Sequence, residues 1–202
     1  MKRLLSALLT LILISALCVS ALAEQYTHPV AGYCFTLPEG WFAVDSDNAE
    51  DIIARSSGNA ELSDSIRSGI AQAGSMPVVI LYEINRVSPL FGNNMNVLPI
   101  DLGEEADISE ILPYAETFEA GVRELYSDYE PIASLTIIEE LGPWNAAIMG
   151  GKLEIKGNAM QYWSIRIISG TVLYEFTLMS LAEYAENHLE MMGYMVASFV
   201  AP

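Results

Sequence analysis

Residues 157–180 read GNAMQYWSIRIISGTVLYEFTLMS. Two runs rich in β-branched and aromatic residues, 160–168 and 171–179, flank Ser169-Gly170, and a shorter run, 152–155, precedes Gly157-Asn158. Small and polar dipeptides between such runs favour tight turns, so the stretch predicts consecutive antiparallel hairpins. Upstream, residues 76–84 (MPVVILYEI) form a continuous apolar run that suits a central strand covered on both faces, and 135–141 is shorter and half polar.

Helical patterns surround these strands. Residues 46–57 offer Asp47 as N-cap with Glu50 three positions on, close to a capping box. From Asn59, the positions Leu62, Ile66, Ile70 and Ala73 recur at three and four before Gly74, which makes one narrow buried stripe. A longer pattern, 107–126, carries Ile108, Ile111, Leu112, Ala115, Phe118, Val122 and Leu125 on one face behind an Asp107/Glu110 cap pair. Pro113 lies beyond its first turn, where a missing N–H and a ring clash force a kink or a restart. The last helix is expected from Ser180, with Glu183 as cap partner and Ala185, Leu189, Met192, Val196 and Phe199 inward.

Strands gathered in hairpins, with helices before, between and after them, predict an α+β fold and exclude regular Rossmann alternation. The expected architecture is a central antiparallel sheet flanked by helices on both faces, an α/β/α sandwich. Residues 33–45 (YCFTLPEGWFAVD) read as an N-terminal hairpin turning at Pro38-Glu39-Gly40, and 85–103 as largely irregular, with a possible edge strand at 97–102.

Residues 1–23 place Lys2 and Arg3 before an apolar run and end in Ala21-Leu22-Ala23, the order of a secretory signal peptide cleaved after Ala23. The competing reading is an uncleaved anchor, since the run approaches the roughly 20 residues that span a bilayer. Lipidation at Cys18 is disfavoured because Leu17, not a small residue, precedes it. Cleavage removes Cys18, leaves Cys34 without an intramolecular disulfide partner, and leaves 179 residues, which suits one domain, 24–202. Losing Lys2 and Arg3 shifts the formal charge from −17 to −19. Such a chain repels phosphate backbones and anionic headgroups, so neither nucleic acid nor a membrane surface is an expected partner.

The chemistry-bearing residues are few. His28 and His188 are the two histidines, and no G-x-S-x-G elbow accompanies them. His188 borders an apolar helix face and reads as structural, while Cys34 between Tyr33 and Phe35 reads as a small hydrophobe. Two histidines, one mature cysteine and no C-x-x-C rule against a zinc site. The acidic clusters 45–48 and 101–110 lack the EF-hand pattern and coincide with helix starts, where negative charge is favourable anyway. No catalytic residue, metal ligand or cofactor site is assigned.

FTLPEGW near the mature N-terminus, NNMNVLPIDLG before a long amphipathic helix, the paired hairpins and a final helix ending VASF together resemble the PsbP-like domains of bacterial secreted proteins and lipoproteins. The resemblance covers nearly the whole mature chain. It implies a central antiparallel sheet between helical layers and an adaptor role without catalytic residues. The expected function is therefore an exported, non-enzymatic domain in the envelope or extracellular space that binds an unidentified protein or envelope component. The segment 87–96 and the adjoining sheet edge are the expected contact, with Phe91, Asn93, Asn94 and Asn96 as candidate binding residues. An exported carboxylate-dependent hydrolase and a calcium-dependent binding domain are the alternatives.

Overall fold

The computed structural model describes residues 24–55, 60–74, 76–87 and 92–202. Residues 1–23, read above as a signal peptide, and Phe91 lie outside the described residues. Among the described residues, nine strands and four α-helices form an α+β fold with a seven-stranded antiparallel sheet. Its strands are β3 (Trp41–Val44), β4 (Val79–Val87), β5 (Gly92–Asp101), β6 (Glu130–Leu141), β7 (Trp144–Ile155), β8 (Asn158–Ser169) and β9 (Val172–Leu181), in the order β3-β4-β5-β9-β8-β7-β6. β1 (Gln25–Thr27) and β2 (Cys34–Thr36) make a separate ribbon.

The C-terminal meander forms as expected, with each turn one residue away from the dipeptide the sequence suggested. Ile155 pairs with Asn158 across Lys156 and Gly157, both at positive φ, and Ser169 pairs with Val172 across Gly170-Thr171. These tight turns fix the register of β7, β8 and β9.

Two glycines in β7 make room for rings on opposite sides of the sheet. A Cβ on Gly150 would lie 2.2 Å from the Trp163 ring, and one on Gly151 would lie 2.3 Å from the Tyr129 ring.

Strand alternation separates the apolar clusters. Val79, Leu81, Met95, Val97, Phe176 and Leu178 pack with Leu189, Met192, Met195 and Val196 of α4 (Ala185–Ala197) and with Tyr33 and Phe35 of the ribbon. Ile80 and Tyr82, which alternate with Val79 and Leu81, pack instead with Ile53 of α1 (Ala49–Arg55) and with Leu62 and Ile66 of α2 (Ala60–Ala73). A third cluster joins Ala147, Met149 and Leu173 to Ile108 and Ile111 of a 3-10 helix (Ile108–Tyr114) and to Val122 of α3 (Ala115–Leu125). The Asp107/Glu110 capping box opens that 3-10 helix, and the chain restarts as α3 just after Pro113.

Four local expectations are corrected. Residues 33–45 are not a hairpin: β2 pairs with β1, whereas Trp41–Val44 pairs with β4, so the Pro38–Gly40 turn, with Gly40 at φ +80°, carries the chain from the ribbon to the sheet. The cap before α1 is Asp45, whose Oδ1 accepts from the Asp47 and Asn48 amides at 2.9 and 3.1 Å. Ser180 belongs to β9, and the last helix begins at Ala185. Finally, β5 is an interior strand between β4 and β9. Its Pro99 lies beyond Val97, the last β4-paired residue on that side, where a missing N–H costs no β4 ladder bond.

Candidate functional site

The β4–β5 hairpin runs past the end of β3 and past the last ladder pair with β9. β3 stops pairing at Trp41 opposite Glu83, and β9 stops at Met179 opposite Asn94, yet β4 and β5 continue to a pair between Val87 and Gly92. Beyond Glu83, β4 has no strand on its β3 side among the described residues, whereas β9 runs on without ladder pairing to Leu181, level with Gly92. Much of the segment expected to be irregular is strand β5, because ladder pairing with β4 and β9 overrides the low strand propensity of its asparagines.

A buried polar cluster sits where the hairpin leaves the sheet. Asn93 is 1% exposed; its Nδ2 donates to Glu83 Oε2 at 2.8 Å, and its Oδ1 accepts the Leu181 amide at 3.0 Å. His188 of α4 places Nδ1 2.7 Å from Ser180 Oγ and Nε2 3.5 Å from Glu83 Oε2. Trp41 meets the imidazole edge-on, with ring centroids 5.3 Å apart. Serine, histidine and carboxylate thus stand in the order used for nucleophilic catalysis. Ser180 and His188 are 0% and 1% exposed, however, so in this conformation the hydroxyl has no route to a substrate carbonyl. What the array does here is satisfy buried polar groups from β4, β5, β9 and α4 with one another.

Asn94 and Asn96 turn the other way. Both are half-buried, and Asn96 Nδ2 donates to Thr177 Oγ1 at 3.3 Å. Thr177 is paired across the sheet with Ser164, and Ser164 Oγ donates to Glu175 Oε1 at 3.0 Å. Arg166 completes the polar row by pairing with Glu175, its guanidinium 4.2 Å from the centroid of the Phe118 ring of α3. The structure therefore separates the candidate binding residues: Asn94 and Asn96 lie together on one side of β5, and Asn93 is engaged within the fold on the other.

A second histidine cluster lies in the ribbon. His28 Nδ1 accepts the Val30 and Ala31 amides at 3.2 and 3.1 Å, and burial lowers its pKa against the opposing pull of Asp45 and Asp47. The Tyr26 hydroxyl donates to Asp45 Oδ2 at 2.6 Å; burial and the neighbouring Asp45 raise its pKa. Among the described residues no group of three or more His, Cys, Asp or Glu side chains is arranged to hold a metal ion, and no helix is long and apolar enough to cross a membrane.

Glu83 and Ser180 were not singled out as site residues from sequence. The available signal was a charge inside an apolar strand run and a serine closing another, since buried polar groups demand partners.

No protein-family model and no curated protein matches the chain. Solved structures do match. PsbP of the cyanobacterium Synechocystis superposes with a TM-score of 0.53 at 13% identity, over 92% of this chain and 96% of its own. LpqN of Mycobacterium tuberculosis, which is involved in cell envelope biogenesis, gives 0.53 at 10% identity, over 91% of this chain and 88% of its own. The fold is PsbP-like. A Bacteroides thetaiotaomicron protein also aligns, at a TM-score of 0.47 and 10% identity over 89% of this chain; the chain spans about half (48%) of that protein's length. At these identities the PsbP-like likeness concerns architecture, and function has to be argued from residues.

Proposed function

We propose that the chain is an exported, non-enzymatic binding domain of the cell envelope, built as a PsbP-like α/β/α module. In this reading it grips a protein or envelope component through the β4–β5 hairpin and the neighbouring Asn94 and Asn96, without a metal or organic cofactor. The unpaired edge carries the reading: β4 runs past the end of β3, so among the described residues its backbone over 84–87 has no strand on that side and can take up an added one at little cost to the core. The likeness to LpqN, the signal-type N-terminus and the sealed Ser180–His188–Glu83 array support it.

The test shortens the hairpin by replacing residues 84–92 with Asn-Gly, a dipeptide suited to a two-residue turn between Glu83 and Asn93. The shortened protein should keep its circular dichroism and melting temperature while losing the partner captured by crosslinking in native envelopes. Capture of the same partner by the folded, shortened protein would refute the assignment.

A further inference from the structure

The cluster at the hairpin base accommodates two protonation states of one ring. With His188 neutral, Nδ1 accepts the Ser180 hydroxyl proton and Nε2–H points to Glu83. With the ring protonated, Nδ1–H donates to Ser180 Oγ, and the serine proton can turn to the Leu181 carbonyl oxygen, 3.1 Å away. Ser180 and both ring nitrogens keep partners in either state, so proton uptake leaves none of them stranded in the interior.

What changes is charge. The groups facing the ring include Trp41 of β3, Glu83 of β4, Ser180 of β9 and Tyr184, one turn back toward the start of α4; Asn93 of β5 reaches it through Glu83. Glu83 is the carboxylate in this set, and an imidazolium attracts it where a neutral ring offers only a long contact of 3.5 Å. Glu83 and Asn93 are also the residues from which the hairpin departs, and both are tied to this cluster.

We propose that His188 is a proton-operated latch: proton uptake draws Glu83 onto the ring and fastens the base of the β4–β5 hairpin, and proton loss loosens it. The biological meaning of the latch rests on the hairpin being the contact segment. Its physical test does not, because it needs no partner.

Amide hydrogen exchange of the purified protein is followed by NMR at pH 5 and pH 8 and expressed as protection factors, which removes the intrinsic pH dependence of exchange. The reporters are the Leu181 amide, bonded to Asn93 Oδ1, and the Tyr82 and Asn94 pair. Amides of the β7–β8 ladder serve as reference, so that global changes in stability divide out. A nearby opposite charge commonly shifts a titrating group by one to three pK units, so the reporters should gain about tenfold in protection at pH 5 relative to the reference. Glu83→Gln should reduce that gain to less than about twofold, since it removes one of the two charges.

Equal relative protection at both pH values, or an undiminished gain in Glu83→Gln, would overturn the latch. Should that variant not fold, the wild-type imidazole nitrogens decide: a His188 ring that does not titrate between pH 4 and 8.5 also overturns it. If the latch fails here while the shortened hairpin still loses its partner, the contact surface stands without this regulation.

Discussion

Replacing Gly151 by alanine puts one methyl group where two atoms already stand. Its Cβ would come within 2.3 Å of Tyr129 Cε2 and 2.5 Å of the Glu130 carbonyl oxygen. Tyr129 is 1% exposed, and the Glu130 carbonyl belongs to the backbone of β6, whose Glu130 pairs with Lys152, the next residue of β7. Relief therefore requires moving a ladder as well as a ring. Gly150→Ala is the internal comparison: the atoms nearest its Cβ all belong to the Trp163 side chain, at 2.2 to 2.7 Å. Overpacking of this kind costs about 1–3 kcal/mol, and exchanging glycine for alanine in a strand returns roughly 0.5–1 kcal/mol. The net expectation is a loss of about 2 kcal/mol for Gly151→Ala and about 1 kcal/mol for Gly150→Ala.

At about 2–4 °C per kcal/mol for a domain of this size, Gly151→Ala should melt roughly 4–8 °C lower than wild type. Urea titrations read by tryptophan fluorescence give the same ranking through the midpoint at constant m-value. Trimming the obstructing ring with Tyr129→Leu should make the glycine substitution less costly than in the wild-type background, with the residual cost assigned to the carbonyl. A Gly151→Ala midpoint equal to wild type, or a larger loss for Gly150→Ala, would show that the rings do not occupy the space from which the argument starts.

Two further outcomes concern buried charge and pH. Arg166→Met removes one member of the Arg166–Glu175 pair and leaves the Glu175 carboxylate, 17% exposed, without its cation; chemical denaturation should show a loss of about 3–5 kcal/mol, and Arg166→Met/Glu175→Leu should recover most of it. His28 has a pKa lowered by burial, so between its ordinary value near 6.5 and the lower folded value the unfolded chain binds more protons. Its contribution to stability is therefore complete above about pH 6.5 and declines as the pH falls through that window. His28→Asn keeps an acceptor for the Val30 and Ala31 amides but does not titrate, so its urea midpoint should fall less between pH 7 and pH 5 than that of wild type.

The α+β class and the β7–β9 meander were legible in the sequence because their information is local. Turn dipeptides, strand length and the break at Pro113 act within a few residues of where they stand. Pairing of distant segments is encoded less directly. The Pro38–Gly40 turn fits a hairpin as well as a change of layer, and only the partner found by Trp41–Val44 in β4 separates the two. β5 was obscured for a different reason: Asn93, Asn94, Asn96 and Pro99 all lower strand propensity, and the strand exists because β4 and β9 supply its ladder.

The same reasoning explains why the sequence treated the three asparagines of this segment alike. Strand period places Asn93 on one side of β5 and Asn94 and Asn96 together on the other only once the segment is known to be a strand. On Asn93's side lie Glu83, Ser180 and His188, polar residues contributed by two strands and a helix far apart in the chain. Each alone reads as an exception within an apolar run, and together they form a polar set at the base of the β4–β5 hairpin. A buried network is costly when any member lacks a partner, so conserving its geometry constrains where the hairpin can point.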